Sequence, residues 1–349
     1  LKAWVLYGPG NLKYEEYPDP VLDPFDKDMA IVKVKACGVC GSDIPRIFKT
    51  GAHRHPLIPG HEFSGEVTLV SSDCDRDLIG KAVGVFPLIP CGVCGPCRDK
   101  RFEMCRDYDY LGSRSDGGFA EYVKVPVRNL IELPDGISFE TAAMLEPMAV
   151  AVHAVRQSGC EVKQGGSAAV IGLGTIGLFT AMFLHEAGFS VKGIGNKEAQ
   201  KKAFAGLGIS EDCFIMVNSD DGDRLKKALS DCAYIFECVG KNETFSLSVS
   251  AAPPGGTVIT VGNPATDMGL SRDDYWKILR NQLTIKGTWN SSFTGEEQDD
   301  WHYVLGLLSS GKIKPEKMIS HRLKLSDLSY GLDLMKDKKE YYTKVMVTG

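Results

Sequence analysis

Two short segments carry side chains able to share a metal ion. One is Cys37-Gly38-Val39-Cys40-Gly41-Ser42-Asp43, and the other is Pro59-Gly60-His61-Glu62-Phe63-Ser64-Gly65-Glu66. A thiolate from Cys40 and an imidazole from His61 suit zinc. Taken singly, each residue type is more often structural, and the two stand 21 positions apart. Both lie at the edge of a strand-like stretch, Cys40 after residues 31–35 and His61 before residues 63–70. Alternation of apolar and polar residues in such stretches marks half-buried strands.

A second grouping is Cys91-x2-Cys94-x2-Cys97-x7-Cys105. Four thiolates so spaced can surround one Zn²⁺ tetrahedrally at about 2.3 Å, leaving no position open for substrate. An iron-sulfur cluster is the alternative, because related spacings hold clusters. Zinc is preferred, and its role is to staple a loop with little apolar core of its own.

The third feature is Ala168-Ala169-Val170-Ile171-Gly172-Leu173-Gly174-Thr175-Ile176-Gly177-Leu178. An apolar strand runs into Gly-x-Gly-x-x-Gly and then into a helix-like run. Glycines at this spacing allow a tight turn and bring pyrophosphate against a helix N-terminus. Gly172, Gly174 and Gly177, with Thr175 and Ile176 between them, are therefore candidate dinucleotide contacts. Later strand-like stretches at 233–237 and 257–261 lead into Val239-Gly240 and Gly262-Asn263. A parallel sheet places ligands beyond that carboxyl edge.

The elements that must position these groups fall into two patterns. In the first 150 residues or so, Pro and Gly punctuate short alternating stretches such as 30–35, 66–70 and 119–125, so this part reads as β-rich. From about Thr141 helical and strand segments alternate, the signature of a doubly wound α/β sheet. At 349 residues the chain suits two domains, with ordinary apolar and charged content. A net charge of −5 gives no footprint for nucleic acid or an acidic membrane. Residues 167–184 form an uncharged, mainly apolar run of 18, the minimum for a membrane span, but its three glycines belong to the dinucleotide turn. No signal-peptide core precedes it, so the cytoplasm is the expected compartment. Eleven cysteines in that setting point to metal or free thiols rather than disulfides.

The Cys37 to Asp43 and Pro59 to Glu66 segments together resemble the zinc-dependent medium-chain dehydrogenases, whose structural-zinc lobe also shares the four-cysteine spacing. The resemblance implies a GroES-like catalytic domain over residues 1–153 and 289–349, and a Rossmann cofactor domain over 154–288. It also bears on Glu146, in Leu145-Glu146-Pro147. From its own surroundings Glu146 is equally a helix-start carboxylate or a metal ligand inside an apolar run. Polyol dehydrogenases of the family carry Leu-Glu-Pro here and use the Glu as third zinc ligand, which tips the choice. Cys40, His61 and Glu146 then leave one position open, where zinc can polarise an alcohol oxygen. Glu62 is expected as an alternate or second-shell partner, or else as a surface acid. Ser42 corresponds to the family's first proton-relay hydroxyl, its alternative being a turn residue bonding its own backbone. Asp43 is expected to brace the loop.

The likeness runs along nearly the whole chain and, through residues 45–53 and 112–122, points to polyol-phosphate oxidation within the sorbitol dehydrogenase branch. Arg46, Lys49 and Arg114 are candidate phosphate partners, though each is otherwise an ordinary surface charge. Glu121, Trp289 and Asn290 are candidate partners for the polyol hydroxyls. After the second cofactor strand, position 195 is Gly and Asn196-Lys197 follow, where NAD enzymes carry an acid against the ribose hydroxyls. That pattern is similar to NADP-using members, so NADP is favoured over NAD, unless Glu198 takes the acid's place or the lysines are a solvated helix start. Cofactor domains of this family often pair through the last strands, so 257–262 and 283–287 suggest a homodimer or a tetramer of dimers.

Overall fold

The computed structural model describes residues 1–160, 166–217 and 222–349. The chain forms two units, Leu1–Glu146 with Ser292–Gly349, and Pro147–Ser291.

In the first unit the strand Met29–Val39 is the spine. It lies antiparallel to Glu62–Val70 on one side. On the other side Tyr122–Pro126 pairs with its first half and Lys344–Thr348 with its last residues. The full sheet runs Ile319–Lys324, Lys344–Thr348, Met29–Val39, Glu62–Val70, Ala82–Val85 and Leu130–Glu132. Val32 and Val34 point inward while Lys33 is exposed, the alternation expected of a strand with one covered face. Toward its end the strand is buried on both faces, because the neighbours there include the last strand of the unit. Val32, Val67, Val123, Phe63 and Val345 meet in one core.

The second unit is a six-stranded sheet whose neighbouring strands are all parallel. Its order is Phe214–Met216, Ser190–Gly195, Ser167–Ile171, Tyr234–Glu237, Thr257–Thr260 and Thr284–Gly287. Numbered along the chain this is 3-2-1-4-5-6, the doubly wound Rossmann arrangement. The order reverses between Ser167–Ile171 and Tyr234–Glu237, and the crevice opens at their carboxyl ends. The apolar run at 167–184 divides into the strand Ser167–Ile171, the glycine turn and the helix Thr175–Glu186. Among the described residues no helix is long and apolar enough to cross a membrane.

Candidate metal centres and cofactor loop

Strand register explains how residues 21 apart in sequence meet. Gly38 pairs with Glu62 across the antiparallel ladder, so the residues just past it, Cys40 and His61, share one end of the sheet. Val345 pairs with Val39 on the other flank, which brings Lys344 to the same end. Donor atoms of Cys40, His61 and Glu62 all lie within 4.8 Å of one another. Glu146 is outside that group of three.

Asp43 organises the cluster from behind. Fully buried, it accepts the Cys40 N–H at 3.0 Å through Oδ2 and the Arg46 guanidinium at 2.5 Å through Oδ1. The same Oδ1 faces His61 Nδ1 at 3.5 Å, too far for a strong hydrogen bond, and among the described residues the buried Nδ1 has no other partner. A carboxylate behind a ligating imidazole is the usual second layer of a zinc site, and thiol, imidazole and carboxylate are a zinc donor set. These residues therefore fit the metal. Burial pulls the His61 pKa down, but Asp43 and Cys40 outweigh it and hold the ring well above its ordinary value. For Asp43 itself, burial raises the pKa, and His61 and Arg46 more than offset that, leaving it lowered. The Ser42 hydroxyl donates to Cys40 Sγ at 3.3 Å.

Glu62 is 1% exposed and bound to the ammonium of Lys344, which is 2% exposed, at 2.5 Å. Burial lowers the Lys344 pKa, but Glu62 and Cys40 reverse that and raise it. Gly38 makes this pair possible: a Cβ there would sit 2.3 Å from Glu62 Oε2 and 3.3 Å from Lys344 Cδ. Glu146 lies in the first turn of the helix Leu145–Gln157, buried, with Oε1 accepting the Tyr110 hydroxyl at 3.1 Å. Burial raises its pKa to about 7, with His61 opposing and Glu62 adding. The Tyr110 ring stands edge-on to His61 at 5.8 Å. Sequence reasoning does not reach Lys344 or Tyr110. A Lys opening the apolar strand Lys344–Thr348 is the signal available for the first, and nothing local marks the second.

The four cysteines of the second grouping converge. Sulfur separations are 3.4 Å for Cys94 and Cys97, and 3.9 Å both for Cys91 with Cys97 and for Cys94 with Cys105. A tetrahedron of sulfurs about 2.3 Å from a central zinc has edges of about 3.8 Å. Backbone N–H groups of Arg106 and Cys97 pull Cys94 down to about 6, while burial pushes Cys97 up to about 12. Among the described residues there are thus two candidate metal-binding clusters.

In the second unit the glycine turn has the form a pyrophosphate needs. Gly172 has φ +90°, and a Cβ there would meet Val239 Cγ2 at 2.3 Å. A Cβ on Gly177 would fall 1.9 Å from the Gly172 carbonyl, so the turn packs tightly on the helix. A Cβ on Gly174 would meet nothing within 4 Å, which leaves room for a ligand. Gly174 is the N-cap of Thr175–Glu186 and Ile176 lies in its first turn. Glu237 accepts the Val239 and Gly240 N–H groups at 2.9 Å each, and Gly240 packs on Gly262, so these turns share the carboxyl edge. Gly195 is buried at the end of its strand, with Asn196 and Lys197 exposed beyond it.

The substrate candidates are placed less uniformly. Arg46 is committed to Asp43. Lys49 is exposed. Arg114 stacks on the Tyr108 ring at 4.6 Å and lines a hollow of about 520 Å³ with His53, Arg54 and Tyr108. Glu121 accepts the Lys2 N–H at 2.7 Å, which ties it to the first strand. Trp289 is 56% exposed and Asn290 bonds the Ser291 N–H at 2.8 Å; both belong to the second unit.

A mostly antiparallel unit carrying a Cys-His-Glu cluster and a four-cysteine lobe, joined to a Rossmann unit, defines a zinc-dependent dehydrogenase architecture. Residues 26–135 match the family described as "Alcohol dehydrogenase GroES-like domain" and residues 175–310 match "Zinc-binding dehydrogenase". The chain belongs to the zinc-dependent medium-chain dehydrogenase family. It is 36% identical over 306 residues to galactitol 1-phosphate 5-dehydrogenase of Escherichia coli (strain K12), covering 85% of this chain and 86% of that one. It is 30% identical to L-idonate 5-dehydrogenase of Vitis vinifera, over 93% and 88% of the two chains. The crystal structure of galactitol-1-phosphate dehydrogenase from Escherichia coli superposes with a TM-score of 0.90 at 32% identity, covering all of both chains.

Proposed function

We propose that the chain oxidises a secondary hydroxyl of a polyol phosphate, galactitol 1-phosphate, to the ketose phosphate, passing the hydride to NADP⁺. The observation that carries this reading is the convergence of Cys40, His61 and Glu62 within 4.8 Å, in a chain similar to the galactitol 1-phosphate enzyme. Cys40, His61 and Glu146 would hold the catalytic zinc, with Glu62 able to exchange into the site. Cys91, Cys94, Cys97 and Cys105 would hold the structural one. When bound, zinc supplies Lewis acidity toward the alcohol oxygen and the nicotinamide supplies the hydride acceptor.

The chain's own residues do the rest. Asp43 holds the His61 ring and the Cys40 backbone in place. Ser42 Oγ, next to the Cys40 sulfur, receives the proton the alcohol loses and hands it on, since a hydroxyl donates and accepts at once. Lys344 neutralises Glu62 so that a second carboxylate can sit beside Glu146. Arg114 is the phosphate partner best supported, because its guanidinium stacks on Tyr108 and lines the hollow. Tyr108 and Tyr110, ring centroids 6.1 Å apart, connect that hollow to His61. Lys49 and Glu121, in the unit that carries the cluster, are the further candidates for polyol contact. Gly195 and the exposed Lys197 favour the 2'-phosphate of NADP over NAD. Ten described cysteines without a disulfide suit the cytoplasm, and the exposed strand Thr284–Gly287 suits a homodimer or a tetramer of dimers.

The test is a panel of free and phosphorylated hexitols, each assayed with NAD⁺ and NADP⁺. Galactitol 1-phosphate with NADP⁺ should give the highest kcat/KM. Equal use of free polyols would make the chain a general polyol dehydrogenase, and equal or better use of NAD⁺ would remove the cofactor assignment.

A further inference from the structure

The strand Ser190–Gly195 ends where the dinucleotide fold ordinarily sets an acid against the adenosine ribose. Here the place is taken by another residue. A Cβ built on Gly195 would lie 2.7 Å from Gln200 Oε1 and 3.0 Å from the Phe214 ring. Gln200 Oε1 accepts the N–H groups of Asn196 at 2.9 Å and Lys197 at 3.1 Å. Its Nε2 donates to the Leu173 carbonyl at 3.3 Å, inside the Gly172-Leu173-Gly174 turn. One neutral side chain thus ties the phosphate-binding turn to the ribose-binding turn.

We infer that Gln200 is a specificity-determining residue for the adenosine end of the cofactor, a neutral lock that leaves only donors facing the ribose 2' position. This rests on the nicotinamide-cofactor reading above. The argument is one of donor and acceptor counting. An amide oxygen has two lone pairs and an amide nitrogen two hydrogens. Both lone pairs of Gln200 are spent on Asn196 and Lys197, while one Nε2 hydrogen remains after Leu173 is served. An acid at this place would accept from ribose hydroxyls and repel a phosphate; Gln200 can do neither. Lys197 is exposed on the adjoining turn, and among the described residues it makes no ion pair. Lys201 is engaged with Glu211 at 3.1 Å, and Glu198 acts on Lys201. The turn therefore offers one spare amide hydrogen on Gln200 and the exposed ammonium of Lys197, a set complementary to a group that only accepts.

The inference is tested by calorimetric titration of the zinc-loaded protein with adenosine 2',5'-bisphosphate and with adenosine 5'-monophosphate, neither of which requires turnover. The bisphosphate should bind about tenfold or more tightly than the monophosphate, as charge-assisted bonds to phosphate predict. Gln200→Glu keeps an acceptor for the two N–H groups but adds charge and removes the donor. It should lower bisphosphate affinity about tenfold while changing monophosphate affinity less than about threefold. Gln200→Met, neutral and similar in length, serves if the Glu variant does not fold, and should reduce the ratio of the two affinities by about threefold or more. Unchanged ratios in a folded Gln200 variant overturn this inference alone. If neither nucleotide binds the unaltered protein, the nicotinamide reading falls with it.

Discussion

Lys344 and Glu62 form a buried ion pair at 2.5 Å, with side chains 2% and 1% exposed. Breaking such a pair from one side strands the other charge. Lys344→Met should therefore destabilise the fold by about 3–5 kcal/mol, read from urea denaturation. Gly38→Ala should act in the same direction, because the new methyl would overlap Glu62 Oε2. Lys344→Met combined with Glu62→Leu should recover most of the loss, whereas an unchanged midpoint in the single variant would contradict the pairing.

Metal content gives the second expectation. Two zinc ions per chain should be found by elemental analysis, with mild chelation removing the open-site ion and activity before the four-cysteine ion. Cys40→Ala should abolish turnover in a folded protein, and Cys97→Ala should mainly lower thermal stability. Fully active protein with one zinc or none would end the two-site assignment.

Glu146 gives a pH dependence in protein stripped of its open-site metal. A carboxyl raised from 4.5 to about 7 on folding holds more protons in the native state than in the unfolded state across that window. Stability must then fall as pH rises from about 4.5 to 7. The loss across the window is on the order of 3 kcal/mol, since each tenfold change in proton affinity is worth about 1.4 kcal/mol. The raised pKa of His61 has the same sign. Glu146→Gln should flatten the slope, and a slope unaltered by that change would show that Glu146 titrates normally.

Arg46 and Arg114 should separate cleanly in kinetics. Arg46 holds Asp43 behind His61, so Arg46→Ala should depress kcat for free and phosphorylated polyols alike. Arg114→Ala should lower kcat/KM for the phosphorylated substrate by about tenfold to a hundredfold, the value of a charge-assisted bond to phosphate, and spare the free polyol. Parallel losses in both variants would remove Arg114 from phosphate recognition.

The strand Thr284–Gly287 is the last of its sheet, and Ile285 and the nearby Trp276 and Leu279 are 38%, 48% and 51% exposed. An open parallel edge beside apolar side chains invites pairing with a second copy. Sedimentation should show a dimer or a tetramer at micromolar concentration. Lys substituted at Ile285 should shift the distribution toward monomer.

What the sequence made legible follows from locality. The glycine turn, the four-cysteine lobe and the strands flanking Cys40 and His61 each lie within a few consecutive residues, so spacing alone describes them. The meeting of Cys40 with His61 needed strand register, which spacing suggests but does not specify. Lys344 was hidden because its partner is 282 positions away, and at the head of its strand, after Thr343, it reads as an ordinary exposed strand-end lysine. Gln200 was hidden for another reason. It sits on a polar helix face, where a glutamine ordinarily meets water, and only the lack of a side chain at position 195 lets it turn inward.

The placement of Lys344 also bears on the order in which the centre matures during synthesis. Cys40, His61 and Glu62 leave the ribosome long before their neutralising cation is made. At about 5–20 residues per second, the 282-residue interval lasts roughly 15 to 55 seconds. Throughout it Glu62 has no ammonium to meet and the sheet lacks the strand that seals the site. A nascent chain can hold its early strands and its cysteine lobe, yet the cluster of Cys40, His61 and Glu62 gains its ammonium only when the strand Lys344–Thr348 joins the sheet. Synthesis of that strand thus doubles as the step that balances the buried charge of Glu62.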